Sequence, residues 1–156
     1  MISVNIPGRG EFNFSHAVLD VNGTLATDGR LIKGVEPRLI ALSNHLELQL
    51  LTADTHGRQS EIDEALQLVA MRISPGQEGD QKVAVVNSLG AQNVIAIGNG
   101  ANDAGMLKAA AIGIGVIGEE GLNLEAMLAS DIICPNVVDA LDLLLIPQRL
   151  VATLRK

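Results

Sequence analysis

The sequence contains almost no aromatic side chains and only one cysteine. Trp and Tyr are absent from its 156 residues, and the two phenylalanines are Phe12 and Phe14. Because 47% of the residues are nevertheless hydrophobic, we expect a core built from Leu, Ile, Val and Ala. A single cysteine, Cys134, excludes an internal disulfide framework and a cysteine-rich zinc site.

Runs of basic residues are also missing. The chain carries 18 acidic and 11 basic side chains, for a formal net charge of −7. A binder of nucleic-acid polymers needs a basic stripe and usually stacking aromatic rings, so we exclude such a partner. No apolar run approaches the roughly 20 residues that span a bilayer, and residues 1–14 do not have the pattern of a signal peptide. We therefore expect a cytoplasmic protein with no membrane partner.

Short apolar runs alternate with helical patterns along the chain. This alternation predicts an α/β fold, a Rossmann-like three-layer sandwich around a mostly parallel sheet. The length predicts a single domain over residues 1–156, opening with a hairpin in residues 1–14 and turn-like between 24 and 34. The later strands are expected at 16–21, 48–52, 69–73, 94–97, 112–117 and 132–134. Helices are expected at 37–46, 57–68, 80–89, 102–110, 122–128, from about 136, and in a last turn at 147.

Polar residues follow three of the predicted strands and stand near the start of one predicted helix. Parallel strands end at a common edge, where ligands bind in doubly wound sheets. Carboxylates, hydroxyls and an ammonium group at this edge are what a phosphoryl-transfer site needs, together with a metal ion. The residues are Asp20, Asn22, Gly23 and Thr24 after the first core strand, Thr52 and Ala53 after the second, Lys82 in the helix, and Asn99 and Asp103 after the strand at 94–97.

Lys82 has two interpretations. A cation in the first turn of a helix faces the positive end of the helix dipole, which is unfavourable unless an anion binds nearby. The alternative is a lysine exposed on the surface, which is the common environment of this residue type.

Four segments of the chain resemble the motifs of the haloacid dehalogenase-like hydrolases. The match covers about residues 18–133, and its last segment is especially similar to the phosphorylation domain of P-type ATPases, so the chain resembles a soluble P-type ATPase-like member. In order, the segments are Asp20-Val-Asn-Gly-Thr-Leu, Leu51-Thr-Ala-Asp, Lys82 and Gly98-Asn-Gly-Ala-Asn-Asp.

The resemblance implies a phosphatase or ATPase-like phosphohydrolase that uses Mg²⁺. Asp20 would be the nucleophile that takes the phosphoryl group, and the substrate would be a phosphorylated small molecule or a nucleotide. Catalytic roles would fall to Asp20, Asn22, Thr52 and Lys82, phosphate binding to Gly23, Thr24, Thr52, Ala53 and Lys82, and Mg²⁺ binding to Asp20, the main-chain carbonyl of Asn22, Asn99 and Asp103. The turn at Gly23 and Thr24 is expected to direct backbone donors at the phosphate.

Two positions depart from the family pattern. Asn22 stands where the hydrolases usually carry the aspartate that acts as general acid and base, and Asn99 replaces a second aspartate. An amide neither donates nor accepts a proton at neutral pH, so we expect a slow enzyme with weakened metal affinity. The alternatives are a non-catalytic or regulatory phosphate-binding protein, or a subunit that docks a partner.

The lid domain of the larger family members is missing from the sequence. The 27 residues between Thr24 and Thr52 are used up by a turn segment, a helix and a strand. An open site has to be covered by something else, so we expect a homo-oligomer or a large substrate.

Other residues near these motifs have a structural and a functional interpretation. The glycines Gly113, Gly115 and Gly118 fit a dinucleotide-binding pattern, but their place in a late strand favours close backbone packing. Asp28 is either a turn former or a substitute acid, and His56 is either a site residue or one at a helix start or surface. Asp54 and Thr55 are expected to cap the helix that follows them.

Overall fold

The computed structural model describes residues 1–54 and 57–156, which form ten strands and seven α-helices. The strands are β1 (Ile2–Ile6), β2 (Gly10–Phe14), β3 (His16–Asp20), β4 (Ala26–Thr27), β5 (Arg30–Leu31), β6 (Glu47–Thr52), β7 (Met71–Arg72), β8 (Val94–Gly98), β9 (Ile112–Val116) and β10 (Ile132–Cys134). The helices are α1 (Val35–Ser43), α2 (Gln59–Leu66), α3 (Glu78–Ser88), α4 (Ala104–Ala109), α5 (Leu124–Ala129), α6 (Val137–Leu145) and α7 (Pro147–Leu154).

Six strands form a parallel sheet in the order β10-β9-β8-β3-β6-β7. The chain leaves β3 in one direction towards β6 and β7, and then crosses to β8 and continues outward to β10. The order therefore reverses beside β3, which makes the carboxyl end of this strand the topological switch point where ligands bind in such sheets.

The sheet is buried on both faces, so its strands read as continuous apolar runs. Leu19, Ile95 and Ile97 pack in the larger core cluster, which includes side chains of α1, α2, α6 and α7. Val18 and Ala96 face the other way, into the cluster formed with α3, α4 and α5. The predicted three-layer α/β fold is confirmed.

Two hairpins lie outside the central sheet. β1 and β2 pair antiparallel as predicted for residues 1–14, and Phe14 is fully buried beneath them. The second hairpin, β4 with β5, is a difference from the sequence prediction, which assigned only turns between 24 and 34. Two-residue strands carry too short an apolar pattern to be recognised, and Asp28, with a φ of 51°, forms the turn between them.

Two helices begin earlier than predicted. Helix α1 begins at Val35, directly after Gly34 in the left-handed region with a φ of 93°. Helix α3 begins at Glu78, so Lys82 lies in its second turn and not in its first. Within the described ranges, no helix is long and apolar enough to cross a membrane.

Candidate active site

The switch point brings the predicted motif residues together. Asp20 is the last residue of β3 and Thr52 the last of β6, and these two strands pair directly. On the other side of β3, β8 ends at Gly98, and Asn99 follows it. Parallel register places the three strand ends side by side, so residues far apart in sequence meet at one edge.

Lys82 joins the two carboxylates of this edge. Its Nζ donates hydrogen bonds to Oδ1 of Asp20 and to Oδ1 of Asp103, each at 2.6 Å. The lysine is 1% exposed and Asp103 is fully buried. This burial excludes the interpretation of Lys82 as a surface lysine.

Asp103 is fixed by main-chain donors as well as by Lys82. Its Oδ2 accepts hydrogen bonds from the main-chain N–H groups of Asn99 at 3.0 Å and of Gly100 at 2.9 Å. The carboxylate therefore closes the loop after β8 and holds the ammonium group of Lys82 in place.

Thr24 connects the first and the last motif. Its Oγ1 lies 3.0 Å from Oδ2 of Asp20 and 3.2 Å from Oδ1 of Asn99, and its single hydroxyl proton serves one of them at a time. Asn99 in turn donates from Nδ2 to the main-chain oxygen of Gly121 at 3.2 Å. Together with Lys82, these contacts hold both oxygens of the Asp20 carboxylate.

Asn22 and Thr52 form a second pair at the edge. Asn22 donates from Nδ2 to Oγ1 of Thr52 at 3.2 Å, and the same oxygen accepts the main-chain N–H of Asp54 at 2.9 Å. Asn22 is half-buried, and its amide is held against Thr52 at the carboxyl ends of β3 and β6.

The backbone donors of the turn after β3 differ from those expected. The N–H groups of Gly23 and Thr24 are used inside the turn, bonded to the carbonyls of Ala26 at 2.8 Å and Val21 at 3.2 Å. Among the described residues, the N–H groups of Asn22 and Ala53 have no hydrogen-bond partner. Which N–H groups the turn uses depends on how it folds back on itself, so this could not be read from the motif.

Burial and charge set the protonation behaviour of the cluster. Burial, and then the neighbouring Asp103 carboxylate, raise the pKa of Asp20 to about 7, while Lys82 and Thr24 act to lower it. Burial lowers the pKa of Lys82, but the carboxylates of Asp20 and Asp103 outweigh it, so the pKa is raised. One ammonium group thus faces two buried carboxylates.

The site offers oxygen donors of the kind that Mg²⁺ prefers. Within residues 1–54 and 57–156, no group of three or more His, Cys, Asp or Glu side chains is placed to hold a metal ion. The donors are instead mixed, with the Asp20 carboxylate and the Asn99 amide oxygen both within hydrogen-bonding distance of Thr24 Oγ1. The residues present fit a hard cation, with fewer negative charges than an all-carboxylate site would provide.

The structure decides between the interpretations given for the late glycines and for Asp54. The structure supports close packing at the glycines, because a Cβ on Gly113 would lie 2.4 Å from the carbonyl oxygen of Leu107. Asp54 accepts the N–H of Gln59, the first residue of α2, at 3.2 Å, as expected of a capping residue. Thr55 and His56 lie outside the described residues.

Charged residues around the edge were missed by the sequence reasoning. Glu120 lies against Gly23, since a Cβ there would be 2.7 Å from Oε2 of Glu120. Arg30, Arg58 and Glu119 line one open cavity together with residues of the hairpin after β3. Their position in the sequence could have identified them, because each lies in a segment that follows a core strand.

The four motif segments converge on one strand edge, and the chain has the fold of haloacid dehalogenase-like hydrolases, shown by a hydrolase of this superfamily from Legionella pneumophila at a TM-score of 0.65 and 14% identity. No family model matches it. An uncharacterized protein of Methanocaldococcus jannaschii is 44% identical over 92 residues, which are 54% of this chain and 99% of that protein.

Two further comparisons relate the chain to larger and to similarly sized proteins. The phospholipid-transporting ATPase tat-1 of Caenorhabditis elegans is 45% identical over 69 residues, 44% of this chain but only 6% of the ATPase. The 3-deoxy-D-manno-octulosonate 8-phosphate phosphatase of Moraxella catarrhalis, solved with magnesium, phosphate and the sugar acid, superposes with a TM-score of 0.64. That match has 18% identity and covers 91% of this chain and 94% of the phosphatase, so what the two share is the fold.

Proposed function

We propose that the protein is a Mg²⁺-dependent phosphohydrolase that forms an aspartyl phosphate on Asp20. The observation that carries this proposal is the fixation of the Asp20 carboxylate, by Lys82 at 2.6 Å and Thr24 at 3.0 Å, at the switch point of the sheet. A nucleophile held in one orientation needs no further ordering before it attacks phosphorus. The magnesium- and phosphate-bound phosphatase that shares this fold supports the same chemistry.

Each side chain of the edge has a role in this reaction. An oxygen of Asp20 attacks phosphorus, and the bond between phosphorus and the leaving-group oxygen breaks. The Lys82 ammonium group, the Thr52 hydroxyl and the N–H groups of Asn22 and Ala53 would hold the phosphoryl oxygens. Mg²⁺ bound by Asp20, the Asn22 carbonyl, Asn99 and Asp103 would neutralise negative charge between carboxylate and phosphate.

The reaction lacks a proton donor at the position of Asn22. Alkyl alcohols are poor leaving groups and depart only when protonated, so simple sugar phosphates should react very slowly. Acyl phosphates and anhydrides depart without protonation, and such donors should phosphorylate Asp20. Water attack on the aspartyl phosphate also lacks a base, so the phosphoenzyme should accumulate.

Acetyl phosphate with Mg²⁺ provides the direct test. After acid quenching, mass spectrometry should show one added phosphoryl group on Asp20 of the wild type. Asp20→Asn should lose this adduct while keeping the fold, and the exposed Asp80→Asn is the matched control that should keep it. An adduct retained in Asp20→Asn would place the nucleophile elsewhere.

The amides at positions 22 and 99 favour one second candidate, a phosphate-binding or regulatory protein that does not turn over. In that case no phosphoenzyme forms, but phosphate or beryllium fluoride with Mg²⁺ still raises the unfolding temperature. If neither ligand shifts the unfolding temperature, a partner-docking subunit is the better description.

We also propose that the open site is covered by a second copy of the chain, since excluding water favours the chemistry. Light scattering should then give a mass above the 16.3 kDa of the chain. A monomer at all concentrations would leave a large substrate as the cover.

A further inference from the structure

Segments at the end of the sheet where the core strands finish enclose an open cavity of about 680 Å³. Its lining residues lie in three segments, each of which follows the carboxyl end of a core strand. They are Thr27, Asp28 and Arg30 in the hairpin after β3, Arg58 before α2, and Glu119 after β9. A cavity of this size has room for a small-molecule ligand. It is therefore larger than a single phosphoryl group requires.

The two arginines of this cavity differ from other arginines of the chain in their polar contacts. Among the described residues, neither Arg30 nor Arg58 has an ion pair within 4.0 Å, and neither donates a side-chain hydrogen bond. By contrast, three other arginines pair with aspartates, namely Arg9 with Asp131, Arg38 with Asp142 and Arg72 with Asp63. As far as the structure describes the chain, the guanidinium groups at the cavity are therefore available to an anion.

A third group in the cavity wall also lacks a partner. Thr27 Oγ1 is buried and has no hydrogen bond within residues 1–54 and 57–156. A buried hydroxyl without a partner is unfavourable, and it marks this part of the cavity wall as incompletely satisfied. Two guanidinium groups thus line a cavity formed by segments that follow the carboxyl ends of the core strands.

We propose that Arg30 and Arg58 bind the departing phosphate or diphosphate when a phosphoric anhydride donates its terminal phosphoryl group to Asp20. This inference rests on the proposed function and names its substrate class. The Asp20 oxygen forms the new bond to phosphorus, and the bridging P–O bond breaks with its electron pair staying on the leaving phosphate. The guanidinium groups stabilise the charge that develops on that oxygen.

This arrangement accounts for the missing acid at position 22. A leaving group can be helped by a proton or by a nearby positive charge, and an amide at Asn22 provides no proton. Two arginines provide charge, and they do so only for a leaving group that is itself anionic and long enough to enter the cavity. Asp28 and Glu119 line the same cavity and limit how much negative charge it accepts.

The test compares phosphoryl donors in the full-length chain with Mg²⁺. Pyrophosphate, tripolyphosphate and ATP carry an anionic phosphate leaving group, whereas acetyl phosphate releases only acetate. In Arg30→Gln and Arg58→Gln, the concentration for half-maximal phosphoenzyme formation should rise roughly tenfold or more for the anhydrides. It should stay within about twofold for acetyl phosphate, whose acetyl group is neutral in the bound donor and leaves with a single, weakly basic charge. Comparing pyrophosphate with ATP distinguishes an inorganic from a nucleotide donor.

The exposed Arg155 provides the matched control, since Arg155→Gln removes the same charge away from the cavity. This variant should leave the half-maximal concentration unchanged for both the anhydrides and acetyl phosphate. Asp28→Asn and Glu119→Gln should lower the half-maximal concentration for the anhydrides. If the half-maximal concentration in Arg30→Gln and Arg58→Gln rises equally for anhydrides and acetyl phosphate, or does not rise at all, the assignment of the arginines is overturned.

A binding measurement separates this inference from the proposed function. Calorimetric titration with methylenediphosphonate and Mg²⁺, which needs no turnover, should show binding to the wild type and roughly tenfold weaker binding to each arginine variant. If acetyl phosphate yields no phosphoenzyme but this difference holds, the proposed function fails and the anion site stands. If phosphoenzyme forms but methylenediphosphonate does not bind, the arginine site alone is excluded.

Discussion

Lys82 and Asp20 stand 62 residues apart in the sequence, yet Nζ of Lys82 donates a 2.6 Å hydrogen bond to Oδ1 of Asp20. The same ammonium group bonds Asp103 at 2.6 Å. Because all three side chains are buried, this one cation balances two carboxylates that would otherwise repel each other in a low-dielectric environment. Stability and chemistry at the site both depend on this contact.

Removing the cation should destabilise the protein. In Lys82→Met two buried carboxylates lose their common partner, which we expect to cost about 3–5 kcal/mol of unfolding free energy and to abolish phosphoenzyme formation. The exposed Lys108→Met is the control and should change the stability little. Urea unfolding followed by far-UV circular dichroism measures the stability of both variants, since the chain has no Trp or Tyr for fluorescence. A Lys82→Met protein as stable as the control would contradict the expected loss of unfolding free energy.

The pH dependence of stability should report the buried Asp20. Its pKa is raised by burial, and then by Asp103, from 3.8 to about 7, so the folded protein holds this proton more tightly than the unfolded chain. The stabilisation is complete below pH 3.8 and is lost as the pH rises through about 7. Metal-free protein should therefore lose up to about 1.4 kcal/mol of unfolding free energy per pH unit in this window.

Asp20→Asn should remove most of this slope, because the amide does not titrate. The exposed Asp80→Asn should retain it. Urea unfolding at a series of pH values in the presence of a chelator is the measurement. Parallel pH profiles for wild type and Asp20→Asn would show that another group titrates.

Gly23 should not tolerate a side chain. Its φ is +80°, and an added Cβ would lie 2.6 Å from Nδ2 of Asn99 and 2.7 Å from Oε2 of Glu120. Gly23→Ala should lower the unfolding free energy by roughly 2–4 kcal/mol, the sum of backbone strain and a steric clash. Gly76→Ala isolates the strain, because Gly76 has a φ of +79° with nothing within 4 Å. Equal losses in the two variants would show that the clash at position 23 is relieved.

Restoring a carboxylate at position 22 should speed turnover. Asn22→Asp supplies a group that protonates the leaving group and activates water, so the phosphoenzyme lifetime should shorten by about 10²–10⁴-fold. The exposed Asn87→Asp should leave the lifetime unchanged. Intact mass must exclude spontaneous deamidation at the Asn22-Gly23 and Asn99-Gly100 pairs. An unchanged lifetime in Asn22→Asp would favour the phosphate-binding protein.

A carboxylate at position 99 should tighten metal binding. Asn99→Asp adds a negative charge beside Thr24 and Asp20, so the Mg²⁺ concentration that half-saturates the rise in unfolding temperature should fall roughly tenfold. The variant loses the donor to Gly121, at a cost of about 1 kcal/mol in metal-free stability. Asn102→Asp, exposed in the same motif, is the control. A metal affinity that does not change would place Asn99 outside the coordination sphere.

The sequence by itself determined the layers of the fold and the residues of the central site. Alternation of apolar runs with helical patterns is a local property, since a strand buried on both faces has to be apolar along its whole length. The positions of Asp20, Thr52, Asn99 and Asp103 after such runs were enough to predict their convergence, because parallel strands end at a common edge. The role of these residues in binding Mg²⁺ and phosphate remains a prediction.

Only the tertiary structure decided which groups at this edge are free to act. Packing across the sheet buried Lys82 between two carboxylates, whereas its sequence position also fitted an exposed lysine. The fold of the turn used the N–H groups of Gly23 and Thr24, and among residues 1–54 and 57–156 those of Asn22 and Ala53 have no hydrogen-bond partner. Arg30 and Arg58 face one cavity because three separate segments meet there. Long-range contacts of this kind depend on how strands are ordered in the sheet, and no local pattern of residues encodes that order.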